Sequence, residues 1–213
     1  MARDPANGLL VTLEGGEGAG KTTHAKALAE LLEERGFTAC LTHEPGGTAL
    51  GQVIQRLFQR SEGSQIPSPL AELLLFEADR AQHVRQIIRP ALSEGKIVIC
   101  DRFADSTLAY QGYGRGLDLN LIRKLNYEAT GGLTPDLTLL LDLPPEVALG
   151  REGAQLDVTG REPLEFHERV REGFLALARE EPERFVVIDA TLPEGDMAKT
   201  ALAAVEKWLP GGA

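Results

Sequence analysis

Cysteine is scarce: the 213 residues contain two, Cys40 and Cys100. Two thiols build neither a disulfide framework nor a cysteine-ligated metal cluster, so buried thiols in a reducing, cytoplasmic setting are expected. No apolar run approaches the roughly 20 residues that span a bilayer. The opening residues, MARDPANG, lack the apolar stretch of a secretory leader, so neither membrane nor export is expected. Basic charge is also in deficit. With 22 Lys and Arg against 32 Asp and Glu, the formal net charge is -10. That argues against a broad nucleic-acid or membrane footprint, because those need a basic face. It leaves room for a small anion, because a few focused arginines and backbone amides bind phosphate on an acidic protein. Repeats and low-complexity tracts are absent.

What remains is ordinary globular composition, 43% hydrophobic and 25% charged, in a chain long enough for one full core. The expectation is a single domain over residues 1–213, interrupted by one short flap. Five apolar runs stand out: Leu9–Leu13, Thr38–Leu41, Ile97–Cys100, Leu137–Leu141 and Phe185–Ile188. They are near-continuous rather than alternating, the pattern of strands buried on both faces of a parallel sheet. Helical patterns lie between them. Ala25, Leu28, Ala29 and Leu32 share a face closed by Gly36. Ala71–Leu92 is long and amphipathic. Asp118 stands as an N-cap before Leu119–Thr130, which Gly131 and Gly132 stop. Leu164–Glu181 and Glu194–Leu209 follow. Strand–helix alternation predicts an α/β fold, a doubly wound five-stranded parallel sheet with helices on both faces and ligands beyond the strands' carboxyl ends. Residues 150–162, beginning GREGAQLDVTG, are polar and aperiodic, and read as a lid segment.

The chemistry enters at Gly15-Gly16-Glu17-Gly18-Ala19-Gly20-Lys21-Thr22, a full match to G-x-x-x-x-G-K-[ST]. It follows a strand run and opens a helix run, the context a phosphate-binding loop requires. Glycines let backbone N–H groups wrap a phosphate, and the helix N-terminus adds a favourable dipole. Lys21 can reach the β- and γ-phosphates, and the Thr22 hydroxyl can ligate Mg²⁺. The third run ends in Asp101-Arg102, where a carboxylate belongs near that metal and an arginine points to a second anion. The Asn-Lys-x-Asp signature by which GTPases read guanine is missing. The longer hydrophobic run ending in Asp-Glu, usual in ATP-driven motors, is missing too. A nucleotide-dependent ATPase switch and a different P-loop nucleoside or nucleotide kinase remain as alternatives.

Five segments together resemble the thymidylate kinase family: LEGGEGAGKTT (13–23), THEPGGT (42–48), LLLFEADRAQH (73–83), DRFADSTLAYQGYGRG (101–116) and PDLTLLLDLPPEVALGR (135–151). The resemblance implies a nucleoside monophosphate kinase fold. It also implies transfer of a phosphoryl group from MgATP to dTMP, in dTTP synthesis, by a cytoplasmic homodimer without nucleic-acid or membrane partners. ATP would lie on Gly15 to Thr22, with Thr23 beside them and Arg151 reaching over from the lid. Adenine would lie near 189–193. Thr22 and Asp101 would serve the metal. The resemblance places Glu17 at the deoxyribose 3′-hydroxyl, Phe76 stacked on thymine, Arg80 at the base edge and Arg102 on the dTMP phosphate. Ser106, Tyr110 and Gln111 would contact the base and crowd the sugar's 2′ side. Lys21, Arg102, Arg151 and Glu17 form the expected catalytic set.

Taken singly, several of these residues also fit duller roles. Phe76 sits among leucines and suits a core, Arg80 suits a solvated helix face, Ser106 suits a cap and Tyr110 suits packing. The chain departs from the family pattern twice. His43 stands where bacterial members often carry arginine, and a structural histidine is expected there. The lid offers only Arg151 and Arg161 as cations, with Glu152 and Glu162 as potential ion-pair partners.

Overall fold

The five apolar runs form one sheet in the order β2-β3-β1-β4-β5, with every neighbouring pair parallel. The computed structural model describes residues 8–58, 67–149 and 162–209. The strands are β1 (Leu9–Glu14), β2 (Ala39–His43), β3 (Ile97–Asp101), β4 (Leu137–Asp142) and β5 (Phe185–Asp189). Each runs at least one residue further than its apolar run, because ladder hydrogen bonding continues into the first polar residue. Those extensions matter: they set Glu14 and Asp101 on the carboxyl edge of the sheet. The edge strands β2 and β5 are partly exposed, whereas β1 and β3 are buried throughout.

Alternation along β1 divides the core. Leu9, Val11 and Leu13 face a cluster that includes Leu28 and Leu32 of α1 (Lys21–Glu34) and Met197 and Val205 of α9 (Glu194–Glu206). Leu10 faces the opposite side with Ile88, Val98 and Phe103. On that side too, Leu73 of α3 (Pro69–His83) and Ile122 of α6 (Leu119–Thr130) pack with Leu140 of β4. Phe166, Phe174 and Leu177 of α8 (Leu164–Glu180) join the same cluster. Burying large apolar side chains on both faces stabilises the sheet by about 1.5–3 kcal/mol per side chain.

The expected terminators hold. Gly36 takes φ +84° after α1, and Gly131 takes φ +59° after α6. Asp118 Oδ1 accepts from Asn120 N at 3.0 Å. Several helices differ from expectation. The predicted 71–92 helix is α3, then a π-helical turn over Val84–Ile88, then α4 (Arg89–Ser93). Pro90 lacks an N–H and crowds the turn before it, so the helix widens there. A helix not anticipated, α2 (Ala49–Phe58), follows the Pro45-Gly46-Gly47 turn. After β3 come α5 (Ala104–Thr107) and a second π-helical turn, Leu108–Gly114; α7 (Pro145–Leu149) follows β4. The last helix stops at Glu206 rather than Leu209.

Candidate active site

The phosphate loop joins β1 to α1. Gly15 has φ +139°, and a Cβ there would sit 2.4 Å from Leu141 O, so only glycine lets the loop press on β4. Gly18 and Gly20 are also left-handed, at φ +68° and +86°. Gly20 is the N-cap of α1 and supplies no side-chain cap, so the first-turn N–H groups remain available to an anion. Gly16 is partly exposed, Ala19 is buried, and Thr22 and Thr23 are exposed. Lys21 Nζ donates to Gly16 O at 2.7 Å. Burial and the neighbouring Arg102 lower its pKa to about 8. Thr22 Oγ1 donates to Asp101 Oδ2 at 2.5 Å, tying the loop to the end of β3. A hydroxyl and a carboxylate are hard oxygen donors, the set that suits Mg²⁺ held mainly by phosphates and water.

Beside the loop opens a cavity of about 500 Å³. Its lining includes all seven residues expected at the acceptor: Glu17, Phe76, Arg80, Arg102, Ser106, Tyr110 and Gln111, together with Thr22 and Asp101. Arg102 is the centre. Its Nη1 donates to Gly15 O at 3.2 Å and Ser106 Oγ at 3.4 Å, and its Nη2 to Glu17 Oε1 at 2.5 Å and Tyr110 OH at 3.3 Å. The guanidinium lies 5.0 Å from the Tyr110 ring centroid. Tyr110 OH also donates to Glu17 Oε1 at 2.9 Å. Burial alone would raise the Glu17 pKa, but Arg102, Lys21 and the Tyr110 hydroxyl outweigh it and hold it at about 2. Glu17 is therefore an anion within the phosphate loop, matched by cations on two sides.

Phe76 is half-buried and stacked on Phe58, centroids 4.7 Å apart and planes 12° from parallel. Phe58, the last residue of α2, is a cavity residue that sequence reasoning missed together with its helix. Arg80 is not on a solvated face: its side chain is 2% exposed. Nε donates to Glu44 Oε2 at 3.0 Å, and Nη1 to Glu77 Oε1 at 3.0 Å and Asn126 Oδ1 at 2.6 Å. Nη2 donates to Phe103 O at 3.1 Å. His83 Nδ1 lies 2.8 Å from Glu44 Oε1, so one glutamate braces both side chains. The sequence signals for this network were the THEPGGT segment, which carries Glu44, and the LLLFEADRAQH segment, which carries Glu77, Arg80 and His83. Asp79 is buried nearby, and burial with the Glu44 charge pushes its pKa up to about 6. Ser106 does not cap a helix; its hydroxyl donates to Glu14 Oε2 at 2.6 Å. Gln111 Nε2 donates to Glu72 Oε1 at 2.7 Å.

Three expectations fare differently. His43 is exposed at the end of β2, where it lines the cavity beside Gly46, and its side chain makes no hydrogen bond or ion pair among the described residues. Cys100 is buried, but Cys40 only partly so. Arg151 and Arg161, with the lid up to residue 161, lie outside the described residues. The turn after β5 is built by Asp189 Oδ1, which accepts from Thr191 N and Oγ1 at 2.9 and 2.6 Å.

A phosphate loop beside an arginine-centred cavity narrows the comparison with known proteins. The family model described as thymidylate kinase matches residues 13–200. The chain belongs to the thymidylate kinase family. A thymidylate kinase of Synechococcus sp. (strain JA-2-3B'a(2-13)) is 55% identical, the match covering 95% of this chain and 96% of that one. One of Desulfosudis oleivorans is 52% identical over 93% and 97% of the two chains. The crystal structure of thymidylate kinase from Ehrlichia chaffeensis superimposes with a TM-score of 0.77 at 36% identity, covering 94% of this chain and 99% of the other. Membership in the thymidylate kinase family is consistent with a phosphate loop beside an arginine-lined cavity. It also makes this chain a phosphotransferase that takes a nucleotide phosphoryl donor. No helix among the described residues is long and apolar enough to cross a membrane.

Proposed function

We propose that this protein transfers the γ-phosphoryl group of MgATP to dTMP, giving dTDP and ADP, a step of dTTP synthesis. The observation that carries this reading is Arg102, held between Gly15, Glu17 and Tyr110 at the junction of the phosphate loop and the cavity. A guanidinium there can bind the acceptor phosphate and lie beside the transferring group at once. The phosphates of ATP lie along residues 15–23, with Lys21 on the β- and γ-phosphates. Thr22 and Asp101 would hold Mg²⁺, directly or through water, and the ion neutralises charge on the phosphates when bound. Phe76, backed by Phe58, offers its face to thymine, where stacking is worth about 1–3 kcal/mol. Arg80 and Gln111 meet the base edge, while Glu17 meets the 3′-hydroxyl. Tyr110, with Ser106 behind Arg102, leaves little room for a ribose 2′-hydroxyl. The acceptor oxygen already carries charge, so no general base is needed. Positioning and charge neutralisation do the catalysis, with Arg151 supplying a cation from the lid. Adenine lies near 189–193. The family resemblance also supports a cytoplasmic homodimer, organised as one domain with its lid at about 150–162.

The test is dTMP-dependent ADP release by the purified chain with MgATP. Arg102→Ala should lower kcat/KM for dTMP by at least 100-fold, as loss of a charged transition-state contact does. A loss of only a few fold would remove the phosphate-clamp role. Faster turnover of AMP or CMP than of dTMP would overturn the base-pocket assignment.

A further inference from the structure

The amide of Gln111 can face the cavity with either its oxygen or its nitrogen, and the two present opposite hydrogen-bonding character to a base. Its neighbours decide which. Glu72 of α3 is 1% exposed and Gln111, on the π-helical turn Leu108–Gly114, is 2% exposed. Arg115 grips the Glu72 carboxylate with two groups, Nε to Oε1 at 3.3 Å and Nη2 to Oε2 at 3.2 Å. Arg115 is itself fixed, Nη1 donating to Glu162 Oε1 at 2.5 Å and its guanidinium lying 4.8 Å from the Phe166 centroid. A carboxylate shared with a guanidinium is ionised and only accepts. The amide atom 2.7 Å from Glu72 Oε1 must therefore be the donor, Nε2. Gln111 Oε1 has no hydrogen bond among the described residues, and Gln111 lines the cavity.

We propose that Glu72, held in place by Arg115, is a specificity-determining positioning residue. It locks Gln111 with its oxygen toward the acceptor base and so selects pyrimidines that carry a hydrogen on N3. This rests on the reading that Gln111 meets the base. Thymine and uracil present N3–H to that oxygen. Cytosine presents an unprotonated N3, an acceptor against an acceptor, and a buried mismatch of that kind is strongly rejected. An amide at position 72 could offer its own nitrogen to Gln111, which would then turn and present N–H to the cavity.

The experiment measures kcat and KM for dTMP, dUMP and dCMP on full-length wild type, Glu72→Gln, Gln111→Ala and the double variant. Glu72→Gln is expected to lower the dTMP:dCMP ratio of kcat/KM by about tenfold or more, mainly through KM. The dTMP:dUMP ratio should stay unchanged, because both bases carry N3–H. In the Gln111→Ala background the Glu72 substitution should leave the dTMP:dCMP ratio where it is. A purely structural ion pair would lower stability without moving that ratio. An unchanged ratio in Glu72→Gln, with dTMP KM raised in Gln111→Ala, overturns the role of Glu72 alone. Unchanged dTMP and dCMP kinetics in Gln111→Ala overturn the base contact and the proposal together. Should Glu72→Gln fail to fold, Arg115→Met removes the guanidinium that holds the Glu72 carboxylate against Gln111 and must lower the same ratio, while Arg115→Lys must retain it.

Discussion

Arg102 has φ +68°, the only positive value outside glycine among the described residues. A bulky, non-glycine residue adopts the left-handed region only when its surroundings over-determine it. Here the end of β1 does so. Arg102 N donates to Leu13 O at 3.0 Å, and Phe103 N to Glu14 Oε1 at 2.8 Å. Glu14 is fully buried; burial foremost, then the Asp105 charge, push its pKa from 4.5 up to about 8. Between those values the folded protein holds a proton that the unfolded chain has released, so stability falls as pH rises across this window. Below it both states are protonated, above it both are ionised, and the slope vanishes. Glu14→Gln removes the titration while keeping an acceptor for Phe103 N. Urea midpoints measured from pH 5 to pH 8 should therefore decline more steeply for wild type than for the variant. Asp79 contributes a slope of the same sign to both proteins and cancels in the difference. Parallel slopes would show that Glu14 ionises freely in the fold. Arg102 was legible in the sequence because it stands next to the carboxylate ending an apolar run. Glu14 was not, because a glutamate before a glycine-rich loop looks solvent-facing until the strand is seen to extend through it.

At the scale of elements, legibility followed the strength of the local pattern. The strands, α1 and α6 announced themselves through continuous apolar runs and glycine stops. The helix α2 did not, because Gly51 sits inside it and a Pro-Gly-Gly turn precedes it, signals that ordinarily mark a loop. The reason for the glycine is tertiary. A Cβ on Gly51 would fall 2.1 Å from Asp79 Oδ1 and 3.0 Å from Gly46 N, so glycine lets α2 approach α3 closely. Missing α2 meant missing Phe58, whose stack on Phe76 joins the two helices at the cavity wall. Gly51→Ala should gain helix propensity yet lose stability, by about 1–3 kcal/mol, because overpacking outweighs the propensity gain. It should also raise the KM for dTMP as the Phe58–Phe76 stack shifts. Equilibrium denaturation and steady-state kinetics on the one variant read both effects. A stabilised variant would show that α2 can slide without strain.

At the scale of the whole molecule, the same two helices carry an apolar outer face. Leu50 and Val53 of α2 and Leu70 and Leu74 of α3 are each 45–49% exposed. Large apolar side chains that remain in water on two packed helices mark an association surface more often than a free one. A net charge of -10 on each copy opposes self-association, and that repulsion is screened by salt, whereas apolar burial is not. If this face forms the homodimer that the family resemblance supports, association should strengthen as salt rises from about 20 to about 200 mM. Sedimentation equilibrium should then find two chains per particle in wild type and one in Leu74→Glu, which adds a charge to this exposed apolar face. Phe58 is buried on the same helix that exposes Leu50 and Val53, so dimerisation on that exposed face would brace the helix that forms the wall of the base pocket. Leu74→Glu should accordingly raise KM for dTMP more than it lowers kcat. A Leu74→Glu protein that still sediments as two chains would move the interface elsewhere, and a wild type that stays monomeric at every salt concentration would remove it.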